Sequence, residues 1–114
     1  MSLDYSYCKI YIDTNLDYDE LYNLIILYLK GIRLSHSFIK CDWCDIGLTK
    51  NKEWSEERYE IDNTDFIYWK YFIDLENIYK IDTQMYIKKI KELKQNLELF
   101  CKAVVISCDF EELL

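Results

Sequence analysis

Two cysteines separated by two residues are the strongest candidates for chemistry in this sequence. Residues 40–47 read KCDWCDIG and contain Cys41 and Cys44. A pair with this spacing binds a metal or forms a redox-active disulfide where it lies on a turn or at the start of a helix. A structural zinc site also needs a second pair of ligands, and Cys101 and Cys108 are too far apart in sequence to be the usual one.

The residues around the pair predict an extended strand. The apolar positions of residues 32–48 alternate and change parity near Trp43 and Cys44, which is typical of a strand with a bulge. In an extended strand the Cα atoms of Cys41 and Cys44 lie about 10 Å apart, beyond the limit of about 7 Å for a disulfide. We therefore expect the spacing of the pair to be coincidental, with no bound metal and no cofactor, and leave open whether the pair has a redox role.

Other residue types offer no catalytic site. His36 is the only histidine, and no base with an orienting partner can be assigned to a serine or cysteine nucleophile. Glu56 and Glu57 are adjacent acids on a polar segment, where carboxylates are expected to face water. The sequence has no glycine-rich phosphate loop. We therefore do not expect an enzyme.

Length and charge restrict the classes of function further. The chain has 114 residues, of which 51% are hydrophobic, and predicts a single domain spanning residues 1–114. The net charge of -7 disfavours binding to nucleic acid or to an anionic membrane and suits a basic partner. No apolar run approaches the length of a membrane span, and the first residues lack the pattern of a secretory signal. We expect a cytoplasmic location, where cysteines stay reduced.

Apolar periodicity and capping residues predict four strands and two helices. The predicted elements are a strand at Tyr7–Asp13, a helix capped by Asp17, a strand over residues 32–48, a polar loop over 49–65, a strand over 66–75, a helix capped by Asp82 with an apolar stripe that ends at Phe100, and a strand over 103–110. Right-handed crossovers convert this order into a ferredoxin-like βαββαβ fold of the α+β class. Such a fold has a four-stranded antiparallel sheet with both helices on one face.

Aromatic residues are predicted on the face of the sheet that the helices leave open. They are Tyr7, Tyr11, Tyr68 and Phe72. Aromatics on the first and third strands resemble an RNA-recognition motif, but that motif needs a basic face and a glycine-bearing third strand. We therefore expect a protein partner or a second copy of the chain to cover this face. Ile26 and Leu27, which lie off the inner stripe of the first helix, are a second patch through which a homodimer could form.

Acidic and aromatic residues are combined in the polar loop and just before it. Residues 53–65 carry six acids against one arginine. In protein interfaces, rings supply apolar burial while surrounding charges attract a partner of opposite sign. The predicted interaction residues are Asp42, Trp43, Asp45, Trp54, Glu56, Glu57, Tyr59 and Glu60. The alternative is a solvated loop in which Trp54 folds back onto the core.

Three segments resemble a known family. CDWCDIGLTKNKEWSEER, FIYWKYFIDLE and above all the C-terminal AVVISCDFEELL resemble small bacterial immunity-type proteins of polymorphic toxin and contact-dependent inhibition systems. The resemblance covers nearly the whole chain, and CDFEEL is its most distinctive part. It implies a protein that neutralises a cognate toxin by stoichiometric binding and has no catalytic residues. Cys41, Cys44 and the lack of a terminal proline depart from the family pattern.

The resemblance and the charge together favour an immunity protein that presents an acidic surface to a basic toxin. Two other classes are kept as alternatives. One is an RNA-recognition-like binding domain, which the predicted topology suggests and the acidic charge opposes. The other is a small enzyme, for which no nucleophile or base can be assigned.

Overall fold

Six antiparallel strands form one sheet in the computed structural model, which describes residues 6–77, 79 and 81–114. Among these residues the strands are β1 (Tyr7–Asp13), β2 (Ile32–Arg33), β3 (Phe38–Lys40), β4 (Asp45–Lys50), β5 (Tyr71–Glu76) and β6 (Ala103–Ser107). Their order across the sheet is β2-β3-β4-β5-β1-β6. The helices are α1 (Tyr18–Leu29), α2 (Glu56–Ile61) and α3 (Thr83–Glu98), with short 3-10 helices at Phe66–Tyr68 and Glu111–Leu113. The α+β class is confirmed, but the expected count of four strands is wrong.

The two long helices begin at the residues that the sequence predicted. The Asp17 carboxylate accepts a hydrogen bond from the Glu20 backbone N–H at 2.8 Å, and the Glu20 carboxylate accepts one from the Asp17 N–H at 3.1 Å. Asp82 caps α3 in the same way, through the backbone N–H of Met85 at 3.2 Å. These bonds satisfy N–H groups that have no partner within the first turn of a helix. No helix in the described part of the chain is both long enough and apolar enough to cross a bilayer.

Both long helices contribute to a single core against one face of the sheet. The fully buried helix residues include Leu21 and Ile25 of α1 and Ile90 and Leu93 of α3. The core also contains inward residues of the strands, which are Cys8, Ile10, Ile12, Ile39, Ile46, Leu48, Tyr71, Ile73, Leu75 and Val104. Phe100 lies beyond the end of α3 and is exposed, so the predicted stripe ends at Leu97.

The predicted strand over residues 32–48 is three strands joined by two turns. The first turn closes where the Leu34 backbone N–H donates to the Phe38 carbonyl at 3.0 Å. The second closes where the Cys41 N–H donates to the Cys44 carbonyl at 3.2 Å. The change of parity near Trp43 therefore marks a reversal of the chain. A bulge and a tight turn both shift parity, and the sequence pattern does not distinguish them.

The predicted strand over residues 66–75 is a 3-10 helix followed by a shorter strand. The Asn51 side-chain amide donates to the carbonyls of Ile67 at 2.9 Å and Trp69 at 2.8 Å, which takes these carbonyls away from strand pairing. Tyr68 consequently leaves the open face of the sheet and lies 3.8 Å from the guanidinium of Arg58, measured to the ring centre. The loop predicted over residues 49–65 contains α2, and the strand predicted over 103–110 ends at Ser107.

The apolar patch predicted on α1 is smaller than expected. Ile26 packs against the core, and Leu27 is 77% exposed. A single exposed leucine is a normal surface feature and does not by itself indicate an interface.

Gly31 is expected to tolerate alanine much less well than Gly47. A Cβ at Gly31 would lie 2.5 Å from the Cγ2 atom of Ile39, which is buried, whereas a Cβ at Gly47 would meet the exposed ring of Phe38 at 3.2 Å. Because a close-packed core cannot make room cheaply, Gly31→Ala should reduce the free energy of unfolding by about 1–3 kcal/mol. Gly47→Ala should change it by less than about 1 kcal/mol, since the Phe38 ring can move. Urea denaturation of both variants checks this difference, and equal losses would contradict it.

Candidate protein-interaction site

The eight interaction residues predicted from the sequence lie in two separate places. Asp42, Trp43 and Asp45 belong to the turn between β3 and β4 and to the start of β4, whereas the other five follow the end of β4. A strand of six residues spans about 17–20 Å. The predicted set is therefore not one continuous surface.

Trp43 lies in the core. Its side chain is only 6% exposed, and its ring packs edge-on against Tyr86 with ring centres 6.0 Å apart. The ammonium group of Lys89 lies 5.9 Å from the ring centre of Trp43. Asp42 is exposed beside it on the turn. Asp42 is therefore accessible to a protein partner in this structure, whereas most of the Trp43 ring is buried.

The five predicted interaction residues in α2 and just before it differ in their exposure. Glu56, Glu57 and Glu60 are exposed, whereas Trp54 and Tyr59 are partly buried and pack against each other with ring centres 5.3 Å apart. Ser55 caps the start of α2, and its hydroxyl accepts a hydrogen bond from the Arg58 N–H at 3.1 Å. The aromatic residues hold α2 in place, and the carboxylates face solvent. The ring of Trp54 is thus partly covered by Tyr59, and Trp54 is not among the described residues that pack against the core.

The segment containing α2 covers one end of the open face of the sheet. The Tyr59 hydroxyl donates to the Asp13 carboxylate at 2.9 Å, and the ring of Phe66 lies 5.2 Å from that of Tyr11. Asp13 and Tyr11 belong to the last part of β1. The first part of β1 and the strand ends beside it are left without this cover.

A groove with acidic residues lies at the uncovered end of the open face. Its volume is about 230 Å³, and we call it the acidic groove. Its defining residues are Tyr7, Phe38, Asp45, Gly47, Asp74 and Glu76. Tyr7 and Phe38 are 37% and 57% exposed, which leaves both rings available to a partner.

Strand register brings the three carboxylates of the acidic groove together. Asp45 of β4 pairs with Glu76 of β5, and Gly47 pairs with Asp74 two residues away on the same face. Tyr7 of β1 pairs with Glu76 from the other side. Paired residues in an antiparallel sheet have side chains on the same face about 5 Å apart. Because Gly47 has no side chain, the ring of Phe38 can lie close to it on this face, where a Cβ would come within 3.2 Å of the ring.

Hydrogen bonds fix the direction of two of these carboxylates. The Tyr7 hydroxyl donates to Asp74, and the Tyr79 hydroxyl donates to the Oδ1 atom of Asp45 at 3.1 Å. Burial and then the hydrogen bond to Asp74 raise the pKa of Tyr7 above its ordinary value, so its phenol remains a donor. Because a carboxylate can accept several hydrogen bonds, Asp45 and Asp74 can each accept a further hydrogen bond from a partner.

Two lysines on this face are register partners of the groove carboxylates, and both lie near aromatic rings. Lys9 pairs with Asp74, and its ammonium group lies 4.0 Å from the ring centre of Phe72. Lys40 pairs with Asp45, and its ammonium group lies 6.0 Å from the ring centre of Tyr79. Carboxylates between aromatic walls suit the guanidinium or ammonium group of another protein, because both charge pairing and ring contact favour a cation. The acidic groove is therefore a candidate site for basic side chains of a protein partner.

Sequence reasoning found only part of this groove. Asp45 was among the predicted interaction residues, and Tyr7 was placed on the open face. Phe38, Asp74 and Glu76 were missed. One signal was present, because Asp74 and Glu76 share the parity of Phe72, which was placed correctly on the open face. Phe38 became visible only when residues 32–48 were resolved into separate strands.

The cysteine pair lies on the β3–β4 turn and not in an extended strand. The Sγ atoms of Cys41 and Cys44 are 3.3 Å apart, so the Cα separation of about 10 Å expected for an extended strand does not apply. A hydrogen bond from the Cys44 thiol lowers the pKa of Cys41 to about 7, and the same interaction together with burial raises the pKa of Cys44. In the described part of the chain, no group of three or more His, Cys, Asp or Glu side chains is arranged to hold a metal ion.

In comparisons with known proteins, no family model, no curated protein and no solved structure matches this chain. The family resemblance noted above therefore remains an expectation from short sequence segments. The physical character of the surface is the main guide to function.

Proposed function

We propose that this protein is an immunity-type binding protein that neutralises a cognate bacterial toxin by stoichiometric binding. The observation that carries the proposal is the acidic groove, in which Asp45, Asp74 and Glu76 lie between two exposed aromatic rings. Toxins that act on nucleic acid have basic active sites, because they must bind phosphates. An acidic, aromatic surface is complementary to such a site. Covering the site would block the toxin without any chemistry by the inhibitor.

The exposed carboxylates of α2 support a second, long-range contribution. Glu56, Glu57 and Glu60 face solvent and form no part of the groove. Like-signed charges around a binding site raise the rate of encounter with an oppositely charged partner, in a way that salt screens. We assign contact to the groove and steering to α2.

A ferredoxin-like core with an added hairpin is the finer description of the fold that we propose. The order β4-β5-β1-β6, with α1 after β1 and α3 after β5, follows the strand, helix, strand, strand, helix, strand sequence expected for that fold. The strands β2 and β3 extend the sheet beyond β4. In this description the added hairpin supplies Phe38, which is one wall of the acidic groove.

An RNA-recognition-like domain is supported less well. Tyr7, Tyr11 and Phe72 do lie on the open face, where such a domain stacks bases. The same face carries Asp74 and Glu76, whose charges repel phosphates. For a small enzyme, no nucleophile with a general base and an orienting partner beside it can be assigned in the described residues.

The test starts from the neighbouring gene. We expect a large secreted protein with a variable C-terminal domain to be encoded immediately upstream. Expression of that domain alone should stop bacterial growth, and co-expression with this protein should restore it. The two purified proteins should form a complex of one copy each by sedimentation velocity.

Three results would contradict the proposal. If co-expression does not relieve the growth arrest, the proposed immunity function is wrong. A stable homodimer of this chain that occupies the acidic groove would replace the toxin as the partner. Tight, salt-sensitive binding of single-stranded RNA in a filter assay would favour the RNA-binding alternative.

A further inference from the structure

The β3–β4 turn brings two thiols together at the edge of a second, larger pocket. The Cys41 and Cys44 Sγ atoms lie 3.3 Å apart. A disulfide bond is about 2.0 Å long, and the first and last Cα atoms of a four-residue turn are within about 7 Å. A small movement of the two side chains therefore closes the bond.

The two thiols differ in access. Cys41 is 7% exposed and lines a pocket of about 540 Å³, whereas Cys44 is fully buried behind it and does not line the pocket. A volume of this size is within the range of small-molecule sites. A small disulfide can thus approach Cys41 first, and Cys44 is reached only through Cys41.

Charged side chains surround Cys41 in this pocket. They are Lys30, Lys40 and Lys89 on the basic side and Asp42 and Glu92 on the acidic side. A peptide disulfide such as glutathione disulfide carries carboxylates and ammonium groups, and this mixed lining can pair with both. The excess of lysines favours a ligand with an excess of carboxylates.

We propose that Cys41 and Cys44 form a thiol–disulfide exchange site that is oxidised by a small anionic disulfide bound in this pocket. The Cys41 thiolate attacks one sulfur of the small disulfide, whose S–S bond breaks, and the leaving thiolate takes a proton from water. Cys44 then loses its proton to water and attacks the Cys41 sulfur, which breaks the mixed disulfide and releases the second small thiolate, and this thiolate takes a proton from water. Two protein thiols are oxidised to one disulfide, and one small disulfide is reduced to two thiols.

The acidity of the two thiols agrees with this division of roles. The pKa of Cys41 is lowered to about 7 by the Cys44 thiol, so a large fraction of Cys41 is thiolate at neutral pH. The exchange rate should rise as the pH increases through 7 and level off above it. The other close pair, Cys8 and Cys108, behaves differently, because burial raises the pKa of both thiols.

The experiment treats the reduced, full-length protein with glutathione disulfide at neutral pH and follows the intact mass. We expect the parent protein to lose two hydrogens and peptide mapping to locate the new bond between Cys41 and Cys44. Cys44→Ser should instead retain one glutathionyl group on Cys41, because no second thiol resolves the mixed disulfide. Cys41→Ser should react more slowly than the parent by about tenfold or more, since Cys44 is inaccessible.

A second, uncharged disulfide distinguishes the contribution of the charged pocket residues from the reactivity of the thiols themselves. Lys89→Gln should slow the reaction with glutathione disulfide severalfold and leave the reaction with the uncharged hydroxyethyl disulfide unchanged. Mapping of the parent disulfide to Cys8 and Cys108, or equal reaction rates of Cys41→Ser and the parent, would overturn the exchange site. An equal effect of Lys89→Gln on the reaction rates with both disulfides would contradict the proposal that the pocket favours an anionic ligand. Circular dichroism of each variant establishes that it is folded, and the mapping of the parent protein needs no variant.

Discussion

Replacing Trp43 with alanine should lower the free energy of unfolding by about 3–5 kcal/mol, because the change leaves a large cavity in the core. Trp43 is 6% exposed and packs against Tyr86, which is itself fully buried. Urea denaturation monitored by circular dichroism measures the loss. A Trp43→Phe variant retains most of the apolar contact and should lose about half as much or less.

Trp54→Ala is the matched control for this prediction. Trp54 is also a tryptophan near acidic residues, but it is only partly buried and packs mainly against Tyr59 at the surface. Its removal should cost about 1–2 kcal/mol, which is the range of an ordinary destabilising substitution. If Trp54→Ala destabilises the protein more than Trp43→Ala does, the assignment of Trp43 to the core is contradicted.

Neutralising the acidic groove should weaken toxin binding by about 3 kcal/mol or more, because carboxylates in contact with cations lose both charge and hydrogen-bonding strength. The groove variant combines Asp45→Asn, Asp74→Asn and Glu76→Gln. Its side chains keep their shape, so the fold should be retained. Isothermal titration of the upstream toxin domain measures the change in affinity.

The α2 variant, with Glu56, Glu57 and Glu60 replaced by Gln, removes the same number of negative charges. These side chains are exposed and lie outside the groove. Their loss should slow association and reduce its dependence on salt, with a smaller change in affinity than in the groove variant. Equal losses of affinity in the two variants would mean that net charge alone governs binding.

The parts of the fold that the sequence predicted are those controlled by nearby residues. The capping box of Asp17 and Glu20 and the cap at Asp82 involve residues three positions apart, and both helices begin where these signals placed them. The strand Tyr7–Asp13 was also predicted with the observed bounds, because its alternation is uninterrupted. Local signals therefore sufficed for α1, α3 and β1.

The parts that were missed depend on turns and on distant contacts. A parity change near Trp43 is compatible with a bulge or with a turn, and only the hydrogen bond between Cys41 and Cys44 distinguishes the two. The first part of the predicted third strand is instead bonded by the amide of Asn51, which donates to carbonyls 16 and 18 residues later in the chain. No local pattern contains such a contact.

The candidate site was only partly predictable for the same reason. Charge and aromatic content drew attention to Asp45 and to the open face, but the groove joins residues from β1, β3, β4 and β5. Strand alternation predicts which face a side chain occupies, whereas the register between strands decides which side chains meet. The acidic groove follows from the pairing of Asp45 with Glu76 and of Gly47 with Asp74.

The central claim is that the acidic groove contacts the toxin, and the dissociation rate of the complex tests it most directly. Surface plasmon resonance compares the parent protein, the groove variant and the α2 variant with the same immobilised toxin domain. The account predicts that dissociation of the groove variant is faster than that of the parent by about a hundredfold, while the α2 variant dissociates at nearly the parental rate. A groove variant that dissociates as slowly as the parent, with an α2 variant that dissociates faster, would place the contact surface on α2 and contradict the account.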